Sequence, residues 1–152
     1  MTSSAWSEHA QRVLAQSGRR WGAARLSVLD VLASQDCCLT VNDIADELRE
    51  RGQRTGIASI YRALDLMHDL GLVQRLDIGD GTARYEPADP SGEHHHHLVC
   101  HRCGQVTAFE DETLEQAIQA LSQRSDHAIE AHDVLLRGTC PECRSGPPTR
   151  QR

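Results

Sequence analysis

The sequence contains no lysine; all 16 of its basic residues are arginine. Aromatics are also scarce, with two Trp, two Tyr and one Phe in 152 residues, so the core has few large anchors and calls for another staple. No apolar run approaches the ~18 residues of a membrane-spanning helix, which excludes such a span. Residues 1–9 are polar and hold no apolar signal-peptide core. The expected compartment is the cytoplasm, where disulfides are rare and paired cysteines more often bind metal. The HExxH of zinc proteases and the HxE…PCxxC of zinc deaminases are both missing, and Cys140-Pro-Glu-Cys143 lacks the deaminase flanks. No enzyme is expected, no small-molecule substrate and no membrane partner.

Positive charge is limited too. The formal net charge is −6 and the pI about 5.8. Residues 1–87 carry ten Arg against twelve acids, and residues 88–152 six against ten. Arginine reads phosphates and guanine edges better than lysine, although GC-rich codon usage also accounts for an all-arginine chain. Any contact with nucleic acid must therefore use a narrow basic stripe.

What the chain has in excess is cysteine, six residues, and histidine, nine. Their positions divide it. In the first half, helical spacing predicts helices over 7–17 (Ala10, Val13, Leu14), 23–33 (Leu26, Leu29, Leu32), 41–51 (Val41, Ile44, Ala45, Leu48) and 56–69 (Ile57, Ile60, Leu64, Met67). Thr40 is the expected N-cap of the third helix, and a loop over 34–39 holds Cys37 and Cys38. The third and fourth helices are joined by Gly52-Gln53-Arg54-Thr55, a helix-turn-helix pattern. Strand-like runs at 72–78 and 82–86 flank Gly79-Asp80-Gly81, a hairpin signal. Helices followed by such a hairpin read as a winged helix. Residues 87–93 have the composition of a linker. The second half offers a strand at 105–109, a helix at 113–124 with Leu114, Ala117, Ile118 and Leu121 buried, and strand character over 129–137. An Arg/Pro/Gly-rich tail follows, expected to be disordered.

Cys100-x-x-Cys103 and Cys140-x-x-Cys143 are two complete knuckles. Four thiolates close a tetrahedral Zn²⁺ site with no open position, so the site is structural rather than catalytic; disulfides or a redox CxxC are the competing readings. Zinc bound there couples metal binding to folding of this half. The run His94-His95-His96-His97 leads directly into the first knuckle. In an extended chain His94 and His96 face one way and His95 and His97 the other, so one run can serve two metal sites. Further ligand types are Glu115, His132, Glu86, Cys37 and Cys38. Solvated surface histidines are the plain alternative.

Four stretches together carry a family resemblance: Gly56-Ile-Ala-Ser-Ile-Tyr-Arg-Ala-Leu64, Gly71-Leu-Val73, His94-His-His-His-Leu-Val-Cys-His-Arg-Cys-Gly104 and Cys140-Pro-Glu-Cys143. Over residues 10–144 the chain resembles the ferric uptake regulator superfamily of bacterial metal-dependent repressors. The resemblance implies an α+β protein: a winged-helix DNA-binding domain over 1–86, a hinge over 87–93 and a small α/β dimerisation domain over 94–144, with a tail over 145–152. It implies a homodimer that binds a palindromic operator when loaded with metal. It also implies a structural zinc on Cys100, Cys103, Cys140 and Cys143, and a second dimerisation-domain site on His94, His96, Glu115 and His132. The implied sensory site at the hinge uses Cys38, Glu86, His95 and His97. On DNA, the resemblance points to Ser59, Tyr61 and Arg62 of the fourth helix, with Arg20 at the minor groove and Arg25 at the start of the second helix.

At the sensor the sequence departs from the family pattern. Iron and peroxide sensors carry His where Cys38 stands and often add a carboxylate where Ala108 stands. Thiolate for imidazole, with one oxygen fewer, moves the site toward four-coordinate Zn²⁺ and away from Fe²⁺ or Mn²⁺. Zinc sensors of the family usually place their cysteine after the wing, near Ala88 and Asp89. Cys37 is an alternative to Cys38 as ligand, and a redox-sensitive thiol is an alternative to a ligand. The expected function is zinc-responsive repression. An iron- or peroxide-responsive member, or a zinc-stapled dimeric module without a DNA role, are the alternatives.

Overall fold

The computed structural model describes residues 3–18, 22–35, 37–89 and 95–146. The chain divides into two compact units at Glu93/His94.

In the first unit, four helices bury one apolar stripe each: α1 (Ser3–Gln16), α2 (Ala23–Ala33), α3 (Val41–Glu50) and α4 (Ile57–Asp69). Trp6, Ala10 and Leu14 of α1 meet Val28, Leu29, Val31 and Leu32 of α2 in a core shared with Ile44, Leu48, Ile60, Leu64 and Met67. Helix α1 starts earlier than its apolar spacing predicts, because Trp6 is buried and its indole N–H donates to Leu72 O at 3.1 Å. Leu26 and Ile57, assigned to apolar stripes from spacing, are instead exposed.

Local chemistry sets the helix-turn-helix boundaries. Thr40 and Asp43 form a reciprocal capping box at the start of α3. Both α3 and α4 end in a Schellman motif. Gln53 N–H donates to Leu48 O and Gly52 N–H to Arg49 O, while Leu72 N–H donates to Met67 O and Gly71 N–H to His68 O. Gly52 (φ 74°) and Gly71 (φ 68°) supply the left-handed backbone that this motif needs.

The wing is the hairpin of β2 (Val73–Asp77) and β3 (Ala83–Pro87). Sequence spacing did not reveal a third member, the two-residue strand β1 (Leu39–Thr40). The sheet order is β1-β3-β2, all antiparallel, with Leu39 opposite Tyr85 and Gln74 opposite Glu86.

The second unit is a sheet in the order β5-β4-β6 with one long helix: β4 (His96–Cys100), β5 (Val106–Phe109), α5 (Glu112–Ser125) and β6 (Leu135–Gly138). β4 and β5 are antiparallel; β4 and β6 are parallel. A short helix, α6 (Pro141–Ser145), carries the second knuckle. Strand structure in the 129–137 stretch begins only at Leu135. The α5 face predicted to be buried is not: none of its residues is buried in the single chain, and Leu121 is 50% exposed.

Candidate metal centre and nucleic-acid interface

Parallel pairing brings the two knuckles together. Cys100 ends β4 opposite Gly138, so the chain leaves both strands at the same end of the sheet. Gly104 (φ 78°) tightens the first knuckle, its N–H donating to Cys100 O. The four Sγ atoms of Cys100, Cys103, Cys140 and Cys143 lie within 4.8 Å of one another. Cys103 and Cys140 are 3.8 Å apart, the separation of two thiolates each ~2.3 Å from one tetrahedral ion. The Cys140 N–H donates to Cys100 Sγ at 3.3 Å and holds that thiol down to about 6, while desolvation pushes Cys143 up to about 12. Arg102 donates from Nη1 to Cys143 O, tying the first knuckle to the second. A closed S₄ cage with backbone donors aimed at sulfur fits a structural Zn²⁺.

The same unit holds a second cluster. The His96 ring turns toward Glu115 and His132, and their ligand atoms lie within 4.8 Å of one another. His96 Nε2 donates to Glu115 Oε1 at 2.7 Å, and His132 Nε2 lies 3.1 Å from Glu115 Oε2. Both Nε2 atoms converge on one carboxylate, the N₂O donor types of a Zn²⁺ or Fe²⁺ site. Two such ligands on one ion stand about 3.3 Å apart, so the His96–Glu115 pair must open slightly to admit it. His94 lies outside the described residues. On the other side of β4 the rings of His95 and His97 meet at 5.0 Å.

The first unit brings a third set together. Continuing the Leu39–Tyr85 register by one step puts Cys38 opposite Glu86. Cys37, Cys38 and Glu86 hold their ligand atoms within 4.8 Å of one another. Glu86 is 1% exposed and accepts a hydrogen bond from Gln74 Nε2 on the neighbouring strand. The contact with Cys37, together with desolvation and the Glu86 carboxylate, pushes the Cys38 thiol up, against a smaller opposing effect of Arg84. Gln74 was not singled out from the sequence; its strand register with Glu86 was the available signal.

The face of α4 opposite the core is open. Tyr61 is 46% exposed, Arg62 is exposed, and Arg62 Nη2 donates to Ser59 Oγ at 3.0 Å. Arg25 lies half-buried in the first turn of α2, and Arg20 is outside the described residues. A 470 Å³ cleft at the α3–α4 turn is lined by Arg49, Arg54, Thr55 and Gly56, at the N-terminus of α4. Arg49, in the last turn of α3, and Arg54, in the turn that follows, were not singled out from the sequence because neither lies on α4.

Comparison with known proteins agrees with this geometry. The ferric uptake regulator family model matches residues 16–137. The ferric uptake regulation protein of Legionella pneumophila is 34% identical over 131 residues, 86% of this chain and 95% of its own. The Vibrio cholerae ferric uptake regulator, whose crystal structure reveals a structural rearrangement of the DNA-binding domains, superposes with a TM-score of 0.75 at 29% identity. That match covers 85% of this chain and 98% of the other. The Helicobacter pylori regulator, described as revealing three functional metal-binding sites, gives 0.80 at 25% identity over 95% of each chain. The chain belongs to the ferric uptake regulator family and is a DNA-binding transcription regulator of metal homeostasis, not an enzyme.

Proposed function

We propose that this protein is a zinc-responsive repressor that binds a palindromic operator as a homodimer in the cytoplasm. The observation that carries the reading is the Cys37–Cys38–Glu86 cluster in the unit that also bears the exposed face of α4. Sulfur ligands favour Zn²⁺ over the harder Mn²⁺ and Fe²⁺. The resemblance assigns Cys38 and Glu86 of the first unit, with His95 and His97 of the second, to one sensory site. When bound there, the ion supplies bonds that link the winged-helix domain, 1–86, across the hinge, 87–93, to the dimerisation domain, 94–144. Coupling of this kind is typically worth about 1–3 kcal/mol and is reciprocal, so DNA also tightens metal binding. The Vibrio cholerae relative, with its rearranged DNA-binding domains, supports a mobile arrangement of this kind.

Cys100, Cys103, Cys140 and Cys143 hold the structural zinc in this reading, and His94, His96, Glu115 and His132 hold a further ion. Three ligand groups among the described residues, and three functional metal-binding sites described for the Helicobacter pylori protein, support that assignment. Dimerisation is supported by apolar surface left open on the second unit: Leu98 and Leu136, opposite each other in β4 and β6, are 43% and 47% exposed. On DNA, Ser59, Tyr61 and Arg62 enter the major groove, Arg20 approaches the minor groove and Arg25 contacts backbone.

The deciding experiment is fluorescence anisotropy of DNA from the promoter beside the protein's own gene. The protein is titrated with Zn²⁺, Fe²⁺, Mn²⁺ and Ni²⁺ at buffered free concentrations and fixed salt, since salt alone moves affinity strongly. Zn²⁺ should promote binding at the lowest free concentration. Binding promoted first by Fe²⁺ or Mn²⁺ would assign the protein to iron or peroxide sensing. No binding under any metal would leave a zinc-stapled module without a DNA role.

A further inference from the structure

We propose that Cys37 and Cys38 act together as a vicinal dithiol which, with Glu86, captures a thiophilic divalent cation within the winged-helix unit alone. The proposal deepens the sensory reading above and rests on it for its regulatory consequence. It raises the sulfur count of that site from one to two and makes capture independent of the histidines.

Adjacent side chains on a strand point to opposite faces, so a Cys-Cys pair in regular β-structure cannot grip one ion. Cys37 and Cys38 lie just before β1, outside its pairing, and their Sγ atoms stand 3.8 Å apart. Two thiolates sharing a tetrahedral ion at ~2.3 Å have that separation, whereas a disulfide needs about 2.05 Å. The Cys103–Cys140 pair, in the closed S₄ cage, stands at the same 3.8 Å.

The third donor is built from the sheet. Glu86 sits on the central strand β3 opposite the Cys38 position, and Gln74 on β2 donates to its Oε1 from the far side. The Gln74 hydrogen bond offsets part of the cost of burying this carboxylate and holds it in place. Two soft sulfurs and one buried oxygen make a donor set suited to Zn²⁺ or Cd²⁺ and poorly suited to Mn²⁺ or Mg²⁺.

The test uses the full-length protein with its structural site filled with zinc, titrated with Cd²⁺ alone. Thiolate-to-metal ultraviolet absorption is read as a difference from the Cys37→Ser/Cys38→Ser variant, which carries the background of the S₄ cage. The His95→Ala/His97→Ala variant should still take up one extra Cd²⁺ per protomer with the full difference absorption. Cys37→Ser should lose about half of it and weaken Cd²⁺ at least tenfold, and Cys37→Ala should do the same with an unchanged thermal transition. Unchanged absorption and affinity in both Cys37 variants would remove Cys37 from the donor set. Loss of Cd²⁺ uptake in the histidine variant would show that the winged-helix unit does not capture alone. If wild type shows two-thiolate absorption but operator binding ignores the metal, the dithiol site stands and the sensory reading fails.

Discussion

Cys38, just before the two-residue strand β1, holds its Sγ within 4.8 Å of a carboxylate oxygen of Glu86 on the central strand of the wing. On the other side of that strand Gln74 is Glu86's register partner. Three chain segments therefore meet at Glu86: the cysteine loop before β1, the central strand β3 and β2. The shortest strand among the described residues, β1, is what ties the cysteine loop to the wing.

Gln74 should tune metal affinity without touching metal. Its amide donates to the Glu86 carboxylate, and partners that orient a ligand commonly change affinity by about 10- to 100-fold. Gln74→Leu should raise the free zinc needed for operator binding by about tenfold. It should leave the zinc content of the Cys₄ cage unchanged. Competition with a chromophoric chelator reads the first effect and metal analysis the second.

The Cys₄ cage should behave as part of the fold. Cys143→Ser, or exhaustive chelation of the wild type, removes a cross-link between the ends of β4 and β6. Expected outcomes are loss of one zinc per protomer and dispersion loss confined to amide resonances of residues 95–146. A well-dispersed spectrum and an intact dimer in the zinc-depleted variant would contradict the assignment.

Tyr61 and Arg62 should affect DNA and leave metal binding alone. Arg62→Ala should cost about 1–3 kcal/mol and relax base preference if its guanidinium reads guanine. A phosphate contact would instead lower the salt slope by about one, with base preference retained. Arg54→Ala, at the cleft by the α4 N-terminus, should show the phosphate pattern. Anisotropy titrations at several salt concentrations separate the two.

The wing carries a pH-dependent ion pair. The Arg84 guanidinium beside Asp80, with the Thr82 N–H, holds the Asp80 carboxyl below its ordinary value. A folded-state pKa lower than the unfolded one means stability present above the ordinary carboxylate range and lost as pH falls through the folded value. Asp80 is 43% exposed, so the pair is worth only about 0.5 kcal/mol. Asp80→Asn should be slightly less stable than wild type at pH 7, and the gap should close in strong acid. Denaturant melts at pH 7 and pH 3 measure it; an equal gap at both would break the link to ionisation.

Much of the fold was legible because its signals are local. The helix-turn-helix showed itself through the Thr40 cap, the Gly52 and Gly71 stops and the spacing of Ile60, Leu64 and Met67, each acting within a turn or two of helix. The alternation of the histidine run was equally readable, because strand geometry alone separates His96 from His95 and His97. Leu26 and Ile57 misled, since apolarity at helical spacing does not say which edge of a stripe the core reaches. The open apolar face of α5 misled for another reason: a single-chain pattern does not distinguish a core from a surface that waits for a second chain.

By itself, then, the sequence determined the winged-helix pattern, the two knuckles, the exposed face of α4 and the shortage of positive charge, all of which depend on residue type and short spacing. Only the tertiary structure decided which distant residues meet. The parallel register of β4 and β6 gathers two cysteine pairs separated by more than thirty residues, and β1 sets Cys38 against Glu86 with Gln74 behind it. The β1–β3 and β4–β6 registers join segments far apart in sequence and are chosen by the packing of whole elements, whereas the short turn between β2 and β3 sets that register locally.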